Sequence, residues 1–374
     1  MLLVLLAPAV VSASMLDKRP DGHAACRTVS PPATIGDSGC YSVTKDFSTD
    51  DPGQFALVVT ADRVTLDLGG HRLAGAGAAS VVAGIHVLGS QRLTLRNGTI
   101  SGFLFGLRAE PYNGRRIDTV LVENLVVKAG TARGLAVTAR DVTIRDSRIT
   151  NLSGFAGWPA SHAMGIELNA EHCLIQGNLV ADIYPEGVGE AVGISLSSGA
   201  ERCMIADNVI VNRRQPEVGR AMGFWIAEEQ ARRAPGGLTV GGNAVRGHAY
   251  AFMAPPKLAG AFKGNEFVVD CGPDSVEVYG SAGSANAFSP TAAGCRDTVP
   301  AIERRAASGD PRWSLRLATR LHEIEDPAVL ASMKTDRCQL LARARGLLDP
   351  LIALDVAGAA HLMKRVKNLA RPCR

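Results

Sequence analysis

The densest chemistry in the chain lies between His162 and Arg220, where His162, Glu167, Glu186, Glu190, Arg213, Arg214, Glu217 and Arg220 share one stretch. Two reactions draw on such a set. β-Elimination at a uronate needs a base for the C5 proton and a cation to stabilise the developing enolate. Arg213, Arg214 or Arg220 can supply the cation, and His162 or an arginine the base. Hydrolysis needs two carboxylates flanking the glycosidic oxygen, and Glu167, Glu186, Glu190 and Glu217 are available. Trp158, Tyr184 and Trp225 accompany these groups and offer flat apolar faces to sugar C–H bonds. No CxxC pair and no Cys/His metal spacing exists in the sequence, so neither a zinc site nor another cofactor is expected.

Groups so distant in sequence meet only if the elements that carry them stack. A repeat provides the stacking. Segments led by a glycine and a large apolar residue begin at Gly84, Gly106, Gly134, Gly165, Gly193 and Gly223, at spacings of 22, 28, 31, 28 and 30 residues. Second segments follow at Leu93–Ile100, Val142–Ile149, Cys173–Val180, Cys203–Ile210 and Leu238–Val245. The unit reads strand, turn, strand, tight turn, strand, loop. Alternation of period two sends one set of side chains inward, and because one coil cannot bury that face alone, the coils must stack. Asn178, Asn208, Asn243 and Asn265 recur three residues after an inward aliphatic; stacked at about 4.8 Å, their amides are placed to bond as a ladder in left-handed turns. Cys173 and Cys203 share a register and read as a stacked apolar pair rather than a disulfide.

The repeats, together with the opening Val64-Thr-Leu-Asp-Leu-Gly-Gly-His-Arg-Leu-Ala-Gly75, resemble the right-handed parallel β-helix proteins of the pectin lyase-like superfamily over about residues 54 to 290. The resemblance implies an all-β fold, a right-handed parallel β-helix of about eight to nine coils with a small C-terminal α-helical cap. It also implies a polysaccharide groove along the first strand of each coil and the loop before it. The third residue of each glycine-led strand then faces outward, giving a column of His86, Arg108, Ala136, Glu167, Ser195 and Trp225. Five intervals of about 4.8 Å make a track of roughly 24 Å. The longest loops, Gly154–Met164, Tyr184–Val192 and Asn212–Met222, run into Glu167, Ser195 and Trp225. Pectate lyases of this superfamily carry an Arg-x-Pro-x-x-Arg element; Arg214-Gln-Pro216-Glu-Val-Gly-Arg220 has one residue more. The aspartate sets of calcium-dependent lyases and polygalacturonases are not recognisable. The superfamily holds lyases, hydrolases, epimerases and non-enzymatic surface proteins, so fold and activity are separate questions.

On this reading the catalytic candidates are Glu167, His162, Arg214, Arg220 and Glu190, and the substrate-binding candidates are Trp158, Tyr184, Trp225, Arg108, Arg213 and Glu186. The expected function is binding and cleavage or modification of an acidic polysaccharide. The alternative is a non-catalytic envelope or surface scaffold that binds glycan or a protein partner.

The whole chain supports that class. It has 374 residues, 46% hydrophobic and 20% charged, which suits a large buried core rather than disorder. Its net charge of +4 is too small to imply nucleic acid, and no internal apolar run is long enough to span a bilayer. Residues 1–13 read as a signal peptide, and eight cysteines fit an oxidising, secreted or periplasmic location. Residues 14–53 read as an N-terminal cap and 54–298 as the β-helix. In 299–374, three helices are expected, with Pro311, Pro327 and Pro350 in their first turns. Cys26 and Cys40 can staple the cap, Cys271 and Cys295 bracket a small-residue stretch, and Cys338 and Cys373 can clamp two helices; sequence leaves the pairing open. A monomer is expected.

Overall fold

Burial follows the strand period. Along Arg133–Arg145, Leu135, Val137, Ala139, Val142 and Ile144 are buried, while Arg140 and Arg145 are exposed. A computed structural model of the chain describes residues 26–157, 161–197, 202–226, 238–253, 260–271, 286–290, 295, 298–324, 330, 335–356 and 358–373. The expected signal peptide and Trp158 lie outside these residues.

Each strand pairs in parallel with its counterpart one coil away, and the coils form a parallel β-solenoid of about seven turns. That is slightly fewer than the eight to nine expected. Strands shrink towards the ends, to the two residues of Phe47–Ser48 and the four of Ala287–Pro290. Three walls run the length of the stack. In the first, glycine-led wall, Leu57, Ile85, Leu107, Leu135, Ile166, Ile194, Phe224 and Phe252 stand in register. The second aligns Leu66, Leu95, Val122, Ile144, Ile175, Ile205, Val240 and Phe262. The third aligns Leu73, Ile100, Val127, Ile149, Val180, Ile210, Val245 and Phe267. These columns fill one continuous core. Each buried Leu, Ile or Phe contributes about 1.5–3 kcal/mol of transfer free energy.

The leading glycines are required by the stacking. A Cβ at Gly165 would stand 2.4 Å from Val180 Cγ1 and 2.7 Å from the carbonyl oxygen of Gly193. The strand changes parity at this point: Ala163 and Ile166 face the core, while Met164 and Glu167 face away from it.

The asparagine ladder forms as expected. The Oδ1 of Asn208 accepts from the Asn178 backbone N–H and Nδ2, each at 3.0 Å, and Asn208 Nδ2 donates to Ile175 O and to Asn243 Oδ1, each at 2.9 Å. Asn265 continues the series to Asn286, which sequence reading did not place in it. The left-handed turn conformation falls one residue earlier than expected, on Gly177, Asp207, Gly242 and Gly264. The ladder asparagines thereby direct their side chains to neighbouring coils, with Asn243 also donating within its own turn, to Gly241 O at 3.1 Å.

Four disulfides join Cys26 to Cys40, Cys173 to Cys203, Cys271 to Cys295 and Cys338 to Cys373. The second corrects the expectation of an unbonded pair. Cys173 and Cys203 are direct register partners with Cα atoms 4.4 Å apart, within the reach of a disulfide, so the same stacking that aligns two inward cysteines also lets them bond.

Four helices, not three, follow among the described residues: α1 (Val299–Ala306), α2 (Pro311–Glu323), α3 (Arg337–Ala353) and α4 (Ala359–Leu369). Pro311 occupies the first turn of α2 behind the N-cap Asp310, whose carboxylate accepts from Arg312 N–H at 2.9 Å. Pro327 lies outside the described residues. Pro350 does not start a helix but sits inside α3, and the final helix begins instead after Gly358, at φ +87°. A proline there removes one hydrogen bond to the carbonyl four residues back, which is Gly346, a loss the rest of a 17-residue helix tolerates. The helices share a core of Ile302, Leu315, Leu321, Leu341, Leu348 and Val366, into which the solenoid loops insert Val188 and Val218. Arg312 of α2 also forms a bidentate ion pair with Glu217, at 2.9 and 3.2 Å. The helical unit therefore grips the two loops that lead into the first wall. No helix among the described residues is long and apolar enough to cross a membrane.

Candidate functional site

Register decides which polar groups face outward together. His86, Arg108, Ala136, Glu167, Ser195 and Trp225 pair successively along the first wall, flanked by Val58 and Met253. The expected column therefore exists. Towards its C-terminal end Ser195 is covered, with 4% of its surface exposed.

Around Glu167 the groups are mutually bonded. Arg133 Nε donates to Glu167 Oε2 at 2.6 Å, and Arg133 Nη1 donates to the His162 carbonyl at 2.7 Å. One rung on, Arg220 donates to Glu190, its direct register partner, and both side chains are buried. The backbone N–H of Glu190 donates to His162 Nδ1 at 3.1 Å. That bond assigns the imidazole proton to Nε2. The His162 ring lies 5.9 Å from that of Trp225, tilted by 54°.

These contacts sort the titratable groups into two kinds. Burial works to raise the Glu190 carboxyl, but Arg220, with Arg316 of α2 adding to it, outweighs burial and holds the group below the usual carboxylate range. Glu190 is thus a fixed anion. Burial lowers the His162 pKa; the Glu190 charge opposes this, and Arg133 and Arg220 reinforce it. His162 is consequently neutral at pH 7, with its side chain two-fifths exposed (40%). Glu167 is the accessible carboxylate of the cluster, its side chain 29% exposed.

The other candidates stand apart from this cluster. Arg213 donates to Asp182 at 2.8 Å at the start of its loop, and that bond holds Asp182 below its ordinary range. Arg214 stacks over Tyr184, 4.6 Å from the ring centroid, and the Tyr184 hydroxyl donates to Asp182 at 2.9 Å. Burial and the Asp182 bond raise the Tyr184 pKa. Glu186 lies in the turn between Tyr184 and Glu190, where its N–H donates to Ser161 O at 3.1 Å. Arg108 lies two rungs from Glu167 on the same column. Loop entry separates Arg213, Arg214 and Tyr184 from Glu190 and Arg220, which stand where each loop rejoins the wall.

Two participants escaped sequence reading. Arg133 immediately precedes a leading glycine, in register with the outward Met164, and the parity change at the glycine exposes that position as well as the third. Arg316 comes from α2, is 1% exposed and shares a cleft with Arg220, Asp270 and Trp313; no local pattern tied it to the solenoid. Among the described residues no group of three or more His, Cys, Asp or Glu side chains is placed to hold a metal ion. Comparison with protein-family models, with curated proteins and with solved structures finds no match for the chain.

Proposed function

We propose that this chain is an exported, monomeric β-solenoid enzyme of the pectin lyase-like type that binds an acidic polysaccharide along its first wall and removes the C5 proton of a uronate unit. One observation carries the reading: a single accessible carboxylate, Glu167, stands bonded to Arg133, beside a neutral His162 and the face of Trp225. Two-carboxylate hydrolysis fits less well, because the neighbouring Glu190 is buried and neutralised by Arg220. In the proposed step Glu167 takes the C5 proton, the electron pair forms the C4–C5 double bond, and the C4–O bond breaks. The departing oxygen then takes the proton back from Glu167. Arg133 faces the substrate carboxylate and His162 Nε2–H donates a hydrogen bond to it, which steadies the enolate. Trp225 supports a sugar ring.

Galacturonan, alginate and glucuronan, assayed for unsaturated uronate absorbance and for new reducing ends, test this. Unsaturated product from the wild type, lowered about 100-fold or more in Glu167→Gln with binding retained, is the expected result. Reducing ends without unsaturation would replace elimination with hydrolysis. Binding without either product would favour the scaffold, a reading that draws on Arg133 and Arg220 already being paired to the protein's own carboxylates.

A further inference from the structure

The N-terminal end of the same wall carries a second charged cluster that the proposed chemistry does not use. His86 Nε2 and Glu110 Oε1 lie 2.8 Å apart. Arg108 donates to the other oxygen of Glu110 through Nε at 3.0 Å and Nη2 at 2.8 Å. Each planar group is braced by an aromatic ring. Phe55 stacks on His86 at 5.4 Å between centroids and 15° between planes, and the Arg108 guanidinium sits 5.2 Å from the centroid of Phe105. Arg108 remains 44% exposed and Glu110 31%. Glu110 belongs to a further outward column, two residues beyond the first: it pairs with Leu88, and Thr138 and its partner Asn169 stand one and two rungs on.

We propose that His86, Arg108 and Glu110 form a distal saccharide-binding site that grips vicinal hydroxyls of a pyranose unit in the bound polymer. The proposal rests on the glycan reading of the wall. Hydroxyl pairs need a donor and an acceptor side by side, in fixed planes. The cluster holds both. Among the described residues Arg108 Nη1 and His86 Nδ1 have no protein partner, and Glu110 keeps lone-pair capacity beyond the bonds above. Shared bonding to one carboxylate and the two ring stacks fix these groups before any ligand arrives, so little ordering opposes binding. Between this cluster and Glu167 the wall offers the small Ala136 and the neutral polar Thr138 and Asn169, a surface that lets a chain pass. Two rungs at about 4.8 Å separate Arg108 from Glu167 and three separate His86 from it, spans of about 10 and 14 Å that a hexamer bound across Glu167 covers and a trimer centred there does not.

Calorimetric binding of oligogalacturonides and oligomannuronides, from trimer to octamer, to the full chain tests the site. Wild-type affinity is expected to rise between trimer and hexamer. Glu110→Gln and Arg108→Ala are expected to lose about tenfold of affinity for the hexamer, as the loss of charge-assisted bonds implies. They should keep wild-type trimer affinity and an unchanged melting temperature. Variants that follow the wild type at every length, while Glu167→Gln still abolishes turnover, would overturn the distal site and leave the reading of the wall standing. A melting temperature that falls in both variants with no change in binding would make the cluster a structural ion-pair network. If the wild type binds neither series, the glycan reading fails and the distal site fails with it.

Discussion

At the scale of single residues, burial without a second partner sets the chemistry of His248. His248 is fully buried; its Nδ1–H donates to Arg246 O at 2.8 Å, and its Nε2 has no hydrogen-bond partner among the described residues. Burial pushes its pKa from 6.5 down to about 4. Because the folded value lies below the unfolded one, the unfolded chain takes up a proton between pH 6.5 and 4 that the native site refuses. Stability from this group is complete above pH 6.5 and is lost as the pH falls, by about 3 kcal/mol at pH 4. His248→Leu gives up the bond to Arg246 O but removes that liability. Denaturant unfolding should therefore show the gap between wild type and variant narrowing by about 3 kcal/mol from pH 7 to pH 4; a constant gap would count against it. His162 shifts in the same direction, which leaves a neutral imidazole beside Glu167 near pH 7.

At the scale of elements, the solenoid is held by two kinds of stacking with different demands. Inward aliphatics need volume and register. The asparagine ladder needs specific atoms, since each amide serves two coils and is buried. Asn208→Ala would remove acceptor and donor together, leaving the Asn178 N–H and the Ile175 carbonyl unsatisfied in the core. A loss of about 2–4 kcal/mol is expected, read by urea unfolding, whereas replacing Asn124, whose amide reaches Asn97 on the exposed side, should cost under about 1 kcal/mol. Equal costs at the two positions would mean that burial of the ladder is not what makes it matter.

At the scale of the whole molecule, covalent and tertiary links bind coils that are distant in sequence. The Cys173–Cys203 bridge closes a segment with a sequence separation of 30. By the loop-entropy account its removal costs about 3–4 kcal/mol. A Cys173→Ala/Cys203→Ala double variant should lower the urea midpoint correspondingly, beyond the effect of the lost sulfur volume, and an unchanged midpoint would show that the two coils were already fixed by their neighbours. The helical unit adds the second link. Its core encloses Val188 and Val218, and Arg316 contributes positive potential at Glu190. The geometry of the first wall near Glu190 thus depends on residues about 120 positions later in the chain.

Much of this was written in the sequence. Glycine-led strands, inward aliphatics and the asparagine ladder obey short periods, so the stacking and the outward column from His86 to Trp225 could be read residue by residue. The members of the candidate cluster could be listed too, in Glu167, His162, Glu190 and Arg220. Pairing among those groups was not. Whether a charge is accessible or neutralised depends on side-chain direction and on neighbours one coil away: Arg133 reaches Glu167, Arg220 closes on Glu190, and Arg213 turns aside to Asp182. Period fixes a backbone because every coil repeats the same local constraint, but the partner of a given charge is chosen only when loops of unequal length and a separate set of helices pack against the wall.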